Sequence, residues 1–174
     1  YDIAEQKIIK KFQLLSSKPT FYIANIDDSE QSEQNLNELK KIADELGSSV
    51  ISASVKIEQE ISLLKEDEKL EYLELLDMDE PVLNRIIFEG YKLLGLKTYF
   101  TAGPKEIRAW TIKDGYTAPN AAGVIHTDFE RGFIKAEVID FKDFIECGGE
   151  LGAKEKGKLR LEGRDYLVKD GDVI

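Results

Sequence analysis

The sequence predicts an α/β unit followed by an α+β unit, and three patterns support this fold class. A continuous apolar run, an amphipathic helical period and a second β-rich run follow one another between residues 21 and 51, as in a βαβ unit. Acidic segments of helical period come next. Beyond residue 98, short β-rich runs alternate with turn signals and a short helix, as in a sheet packed on one helix.

Length and composition agree with a folded protein in a reducing compartment. The 174 residues can hold one or two domains with real cores, and a hydrophobic fraction of 42% argues against general disorder. Cys147 is the single cysteine, so an internal disulfide is excluded and a structural thiol is expected. No apolar run approaches the roughly 20 residues that span a bilayer, and no secretory signal opens the chain. We therefore expect a cytoplasmic protein with no membrane partner.

Charge is distributed unevenly. Residues 1–94 contain 11 basic and 20 acidic side chains, whereas residues 95–174 contain 13 and 14. An acidic excess repels nucleic acid, so the whole chain is not an electrostatic nucleic-acid binder. A local basic patch stays open as a partner surface, although a solvated surface explains it more readily. Its residues are Lys154, Lys156, Lys158, Arg160, Arg164 and Lys169.

Hydrophobic periodicity and the positions of glycine and proline predict the helices and strands of the first part. An amphipathic helix is predicted over Ile3 to Leu15, ending near Ser16-Ser17. A buried strand over Phe21 to Ala24 is followed by a helix over Ser32 to Leu46, which Gly47 ends. The remaining predictions are a strand from Val50-Ile51, a helix over Glu58 to Leu76 and, after Pro81, a helix over Val82 to Leu94.

The elements of the second part form a ββα-plus-strand module. Two β-rich runs, punctuated by Gly103-Pro104 and followed by the Asp114-Gly115 turn, indicate a hairpin. Pro119 begins a helix of small residues. In order, the predictions are strands over Thr98 to Ala102 and Glu106 to Ile112, a helix over Asn120 to His126, strands over Phe133 to Ile139 and Arg164 to Val168, a turn over Lys169 to Asp172 and a strand from Val173-Ile174.

The longest distinctive sequence motifs of the chain lie in this module. They are T-Y-F-T-A-G from Thr98, R-A-W-T from Arg108, and A-P-x-A-A-G-x-I-H-T-D-F-E-x-G-F-I-x-A from Ala118. They closely resemble the TGS domain that ends YchF-type members of the Obg family of P-loop ATPases and GTPases. The resemblance implies a β-grasp TGS domain over residues 95–174, the C-terminal part of a nucleotide-binding domain over 18–94, and the end of an inserted coiled-coil helix over 1–17.

Asn25-Ile26-Asp27-Asp28 follows the first predicted strand, at the edge where open α/β sheets bind ligands. It resembles the N-K-x-D motif, in which Asn and Asp contact the purine base. In this family N-x-x-E is usual, and the resemblance implies binding of ATP as well as, or better than, GTP. Asp28 departs from that pattern, because its shorter carboxylate is nearer to the guanine-reading form, and it leaves the choice between ATP and GTP open. Ile26 stands at the Lys position and could cover the base face. The alternative is that Asn25 and Asp28 form a turn and cap the next helix.

A second loop, Ser54-Val55-Lys56, follows the second predicted strand and resembles the S-A-K element that contacts the base. An N-cap serine would look the same from sequence. The separation of the two loops by one βα unit is the spacing that the nucleotide fold requires.

The phosphate-binding sequence G-x-x-x-x-G-K-[ST] is absent, so this chain alone should not hydrolyse nucleotide or bind it tightly. The resemblance implies ATP or GTP with Mg²⁺ in the complete protein, a purine nucleotide and the ribosome as partners, and direct RNA contact through the TGS domain as an option. The alternative function is a non-enzymatic TGS module that binds protein or RNA.

His126 is the single histidine, beside Thr127, Asp128 and Glu130. One histidine with adjacent carboxylates lacks the spacing of a zinc site, so we expect a structural role in which Thr127 or Asp128 caps a turn. Trp110 is expected to pack on the sheet rather than to stack on a nucleic-acid base.

Overall fold

A computed structural model of the protein describes residues 2, 5, 8, 9, 11–103 and 106–174. The chain divides into two compact units, Tyr1–Leu94 and Gly95–Ile174. In the described part of the chain, no helix combines the length and the apolar character that crossing a membrane requires.

The segment before the first strand contains helical residues 5, 8, 9 and 11 and a 3-10 turn, Leu15–Ser17. The prediction that this helix continues to Leu15 is wrong. Gln13 has a φ of 50°, which is left-handed backbone and cannot continue a right-handed helix. Ile3, the predicted start, lies outside the described residues.

The first unit contains the predicted βαβ arrangement. Strands β1 (Tyr22–Asn25) and β2 (Val50–Ala53) are parallel and paired from Tyr22↔Val50 to Asn25↔Ala53. Helix α1 (Glu30–Glu45) connects them and begins at Ser29, whose side chain accepts from the N–H of Ser32. Gly47, at a φ of 64°, ends the helical turn because a residue without Cβ adopts this conformation readily.

Three further helices complete the first unit: α2 (Val55–Leu63), α3 (Glu66–Leu75) and α4 (Val82–Leu93). The single helix predicted over Glu58 to Leu76 is therefore two helices. Helix α2 ends at Leu63. Lys65 is the N-cap of α3, and its N–H donates to Glu68 Oε2 at 3.0 Å.

The core of the first unit lies between β2 and the start of α4, with buried Ile51, Ala53 and Val82. The expectation that strand 21–24 is buried on both faces is wrong for Ile23, which is 49% exposed. The side chains of β1 alternate between half-buried Tyr22 and Ala24 and exposed Ile23 and Asn25, so the described residues cover only one face of this strand.

The second unit is built on a five-stranded mixed sheet of order β4-β3-β7-β5-β6. Its edge hairpin is antiparallel, and β7 is parallel to β3 but antiparallel to β5. The hairpin turns where the N–H of Gly103 donates to the carbonyl of Glu106. The strands are β3 (Leu96–Ala102), β4 (Ile107–Lys113), β5 (Ala136–Asp140), β6 (Arg160–Glu162) and β7 (Asp172–Val173).

Helix α5 packs against the β3–β4 part of this sheet, and its small residues are buried with Tyr99 and Ile112. The Tyr99 hydroxyl donates to the carbonyl of Ala121 at 2.9 Å. The helices of this unit are α5 (Ala118–Ile125), α6 (Thr127–Arg131), α7 (Phe141–Glu146) and α8 (Glu150–Glu155).

Two strand predictions in this unit need correction. The strand predicted over Arg164 to Val168 is a turn followed by one isolated bridge, Thr117↔Leu167. Tyr166 and Val168 point inward because the segment hydrogen-bonds to residues 116–118, without forming a strand ladder. The strand predicted from Phe133 begins three positions later, at Ala136, and continues to Asp140.

Candidate functional site

Five of the six predicted loop residues of the first unit line one cleft, of about 300 Å³, at the carboxyl ends of β1 and β2. Parallel strands bring the loops after them to the same edge of a sheet, which is why these segments meet. Asn25, Ile26 and Asp28 line the cleft from the first loop, and Ser54 and Lys56 from the second. Val55 is not part of the lining surface but contributes its backbone N–H to the junction of the loops.

A side-chain to backbone hydrogen bond joins the two loops. Asn25 Oδ1 accepts from the N–H of Val55 at 3.2 Å. The β ladder continues one step past β1, since the N–H of Ile26 donates to the carbonyl of Ala53 at 2.9 Å. This bond orients the Asn25 amide at the lining of the cleft, and none of the described residues accepts from its NH₂ group.

The turn into α1 is organised by Asp27 and two serines. Asp27 Oδ1 accepts from the N–H of Ser29 at 3.0 Å and from its hydroxyl at 2.5 Å. The hydrogen bonds from Ser29 and Ser32 lower the pKa of Asp27 to about 2, so it is ionised throughout the neutral range. Asp27 thus stabilises its own loop.

The capping alternative for Asn25 and Asp28 does not describe this turn. Ser29 is the N-cap, Asp27 supports it, and Asn25 bonds to the other loop. Within the described ranges, the side chains of Asp28 and Lys56 have no hydrogen-bond or ion-pair partner. Both therefore remain available at the cleft surface.

Ser54 has the capping role that the sequence left open. Its Oγ accepts from the N–H of Ile57 at 3.4 Å and begins α2. The same residue lines the cleft. Capping and cleft formation are therefore compatible at this position.

Three lining residues were missed by the sequence analysis: Asp27, Ile57 and Glu60. Glu60 accepts from the Tyr72 hydroxyl at 2.6 Å, and this bond raises the pKa of Tyr72. The signal for Glu60 was helical spacing, because a residue four positions after Lys56 lies on the same face of α2.

Glu58 connects α2 to α4. Its carboxylate accepts from the N–H of Val82 at 2.7 Å and from that of Leu83 at 3.3 Å. These are orphan donors of the first turn of α4, so a side chain from α2 caps a helix that begins 24 positions later. The contact fixes the helix on which Lys56 lies.

His126 and Trp110, the other candidate residues of the sequence analysis, have hydrogen-bond partners within the second unit. His126 is itself the N-cap of α6, in place of the predicted Thr127 or Asp128, and its Nδ1 accepts from the N–H of Asp128 at 3.2 Å. Trp110 Nε1 donates to Thr101 Oγ1 at 3.0 Å, and the Arg108 guanidinium lies 4.2 Å from the centre of its ring. No group of three or more potential metal ligands occurs within the described ranges.

The proposed basic partner surface is partly engaged within the chain. Lys158 pairs with Asp143 at 3.1 Å, and this contact raises its pKa. Arg160 pairs with buried Asp172 at 3.4 Å, and Arg164 donates to the carbonyl of Phe133 at 2.7 Å. Lys154 and Lys156 are exposed. Lys169 is exposed as well, so three of the six basic side chains have intramolecular partners.

Comparisons with known proteins cover both units, because relatives match almost the whole chain and a family model matches the second unit. The family model YchF-GTPase_C, described as "Protein of unknown function (DUF933)", matches residues 96–174. The "Ribosome-binding ATPase YchF" of Pasteurella multocida (strain Pm70) is 55% identical over 99% of the chain and 48% of its own length. That of Bacillus subtilis (strain 168) is 48% identical over 98% of the chain and 48% of its own length.

A solved structure shows the same relationship. The chain matches the "Structure of the Schizosaccharomyces pombe YchF GTPase" with a TM-score of 0.81 and 35% identity, over 99% of this chain and 47% of that one. The chain spans about half the length of the relatives it matches. The described residues thus define a mixed α/β protein whose fold matches that of a YchF GTPase structure. The chain belongs to the YchF family and includes that family's C-terminal region.

Proposed function

We propose that this chain supplies purine-base recognition and a partner-binding module to a YchF-family ATPase or GTPase. The hydrogen bond from Val55 to Asn25 carries the proposal, since it joins the two loops that resemble base-recognition elements. The relatives named ribosome-binding ATPases and YchF GTPase support the class of activity. The cofactor of the complete protein is then ATP or GTP with Mg²⁺.

The cleft has the groups that a purine ring requires. With Oδ1 occupied by Val55, the Asn25 NH₂ group can donate to a ring nitrogen. The Asp28 carboxylate accepts from an exocyclic amine or a ring N–H, and the Ile26 side chain covers a ring face. A carboxylate here fits guanine's paired donors and adenine's single amine, so ATP and GTP both remain substrates to test.

The charges of the cleft favour a base over a phosphate. Asp27, Asp28 and Glu60 line it with one cation, Lys56. Carboxylates repel a triphosphate, and the chain has no phosphate-binding glycine loop. The phosphates and Mg²⁺ therefore bind residues outside this sequence, and nucleotide affinity of this chain alone is weak.

For the second unit we propose a β-grasp TGS domain that contacts the ribosome. A mixed sheet that packs one face on α5 supports the fold, and the names of the relatives support the partner. Binding to ribosomes implies a cytoplasmic protein. Direct RNA contact would use exposed Lys154 and Lys156.

The test is nucleotide titration of a full-length YchF-family protein that contains this sequence. Saturable ATP or GTP binding is expected, and Asn25→Ala should weaken it by about tenfold or more, since an oriented donor to the base is lost. Asn37→Ala, on exposed α1, is the matched control and should bind like the parent. No binding by the parent, or equal affinity of the Asn25→Ala variant, would reject the proposal.

A further inference from the structure

The central strand of the second sheet is shorter than both of its neighbours. Strand β7 has two residues, whereas β3 has seven and β5 has five. Because β7 lies between β3 and β5, the sheet contains a slot one strand wide past Ile174, with β3 on one side and β5 on the other. Neither the base-recognition loops nor the exposed lysines of the proposed RNA contact line this slot.

The residues of β3 turn their backbone groups alternately toward β4 and toward β7. The N–H of Asp114 donates to the carbonyl of Gly95 at 2.7 Å, so the odd-numbered residues of β3 bond to β4. The even-numbered residues face β7, and the carbonyl of Phe100 accepts from the N–H of Ile174 at 2.8 Å. Ala102 is next in this series. Among the described residues, nothing lies opposite its N–H and C=O groups to bond with them.

Strand β5 presents matching groups from the other side of the slot. The N–H of Phe141 donates to the carbonyl of Gly171 at 3.1 Å, and every second residue back along β5 faces β7 in the same way. Ile139 is paired with Val173, but Glu137 has no residue opposite it on the β7 side in the described part of the chain. Backbone N–H and C=O groups therefore face the slot from both neighbouring strands.

A cavity of about 80 Å³ adjoins the slot on the side of α7 and α8. Val173 and Ile139 are paired and both line the cavity. A residue placed opposite Glu137 would be two positions beyond Val173, so its side chain would point to the same face and enter the cavity. The apolar lining residues are Ala102, Ile139, Phe144, Leu159, Val173 and Ile174. The carboxylates of Glu137 and Glu150 complete the lining and disfavour an acidic side chain.

These groups define the chemistry of a ligand. Facing N–H and C=O groups on two strands, one strand width apart, are complementary to an extended polypeptide, and a cavity at one side-chain position adds selectivity for an apolar residue. We propose that the slot binds an extended apolar segment of a partner protein, which continues the direction of β7 and completes the sheet between β3 and β5. The bound segment runs parallel to β3 and antiparallel to β5.

The experiment is an amide NMR titration of the 174-residue chain with the blocked peptide Ac-Val-Thr-Val-Lys-NH₂. Saturable shifts are expected at the Ala102 and Glu137 amides, and their hydrogens should exchange more slowly when the peptide is bound. The matched control peptide carries N-methyl groups on its first valine and its threonine, which keeps the side chains but removes two N–H donors. It should bind at least about tenfold more weakly, because two hydrogen bonds are lost. Equal affinity of the two peptides, or no saturable shift with the first, would overturn the proposal.

Variants of the chain test the location of the site. Ala102→Leu places a larger side chain in the slot and its cavity, so it should weaken peptide binding by about tenfold or more. Ala109→Leu adds the same atoms on the exposed surface of β4 and should bind like the parent. Unchanged binding by Ala102→Leu would contradict the assignment. If that variant does not fold, the comparison of the two peptides on the parent chain decides.

Two other occupants of the slot would give different results. If a full-length YchF-family protein fills the slot with residues of its own chain, its Ala102 and Glu137 amides are protected without peptide and the peptide does not bind. That result would overturn the assignment to a partner. Protection that increases with the concentration of the 174-residue chain alone would assign the slot to a second copy and would also overturn it. Peptide binding by the full-length protein supports the proposal.

Discussion

The Asn25 side chain and the Val55 backbone meet at 3.2 Å, 30 positions apart in the sequence. This bond joins the loop after β1 to the first residue of α2. Asn25→Ala removes the acceptor, and we expect a loss of unfolding free energy of about 0.5–1 kcal/mol because the bond is exposed. Urea denaturation measures it. Asn25→Asp keeps an acceptor oxygen and should lose less; equal losses would contradict a hydrogen-bond origin.

Capping of α4 by Glu58 gives a second prediction. Glu58→Ala leaves the N–H groups of Val82 and Leu83 without their acceptor, so we expect a loss of about 1–2 kcal/mol. Thermal and urea unfolding measure it. Glu71→Ala, on the exposed surface of α3, is the control and should stay within about 0.5 kcal/mol. Similar values for the two variants would show that the cap contributes little.

The first unit shows how much of the fold could be predicted from the sequence. The βαβ unit and the joined loops were accessible because apolar runs, Gly47 and the βα spacing are local signals. The break at Leu64-Lys65 was not foreseen, because helical periodicity continues across it. The acidic run Glu66, Asp67 and Glu68 was the available signal, since acids favour a first helical turn.

The error at Arg164 to Val168 has a different origin. Tyr166 and Val168 alternate with exposed Leu167, as residues of a strand do. Alternation reports which side chains point inward, but a ladder also needs a neighbouring strand in register. Here only Thr117↔Leu167 forms a bridge. Likewise, no local pattern shows that Glu58 caps a helix 24 positions away.

Gly152 and Gly163 form a matched pair for a packing prediction. A Cβ at Gly152 would collide with the backbone carbonyl of Cys147, whereas a Cβ at Gly163 has no heavy atom within 4 Å. Gly152→Ala should therefore destabilise the chain by about 1–3 kcal/mol, and Gly163→Ala by less than about 0.5 kcal/mol. Chemical denaturation of both variants checks this. A Gly152→Ala variant as stable as the parent would show that α7 and α8 separate freely.

Two tyrosines predict the alkaline limit of stability. Burial raises the pKa of Tyr99 to about 12, and burial together with the bond to Asp172 raises that of Tyr166 to about 12. In the unfolded chain the pKa of these phenols is about 10. The folded state retains their protons to higher pH, so this stabilisation is complete below pH of about 10 and is lost between about 10 and 12.

The measurement is the unfolding free energy in urea at a series of alkaline pH values. Replacing both Tyr99 and Tyr166 by Phe should make the decrease between pH of about 10 and 12 shallower than in the parent, because two proton-linked groups are removed. An identical slope in the parent and the double variant would contradict the assignment.

The central claim is that the loops at residues 25–28 and 54–57 contact the purine base. Hydrogen–deuterium exchange of the full-length protein, with and without saturating ATP or GTP, tests it most directly. We predict slower exchange in both loops when nucleotide is bound, with the Val55 amide included. Saturating nucleotide that protects other segments and leaves both loops unchanged would contradict the account.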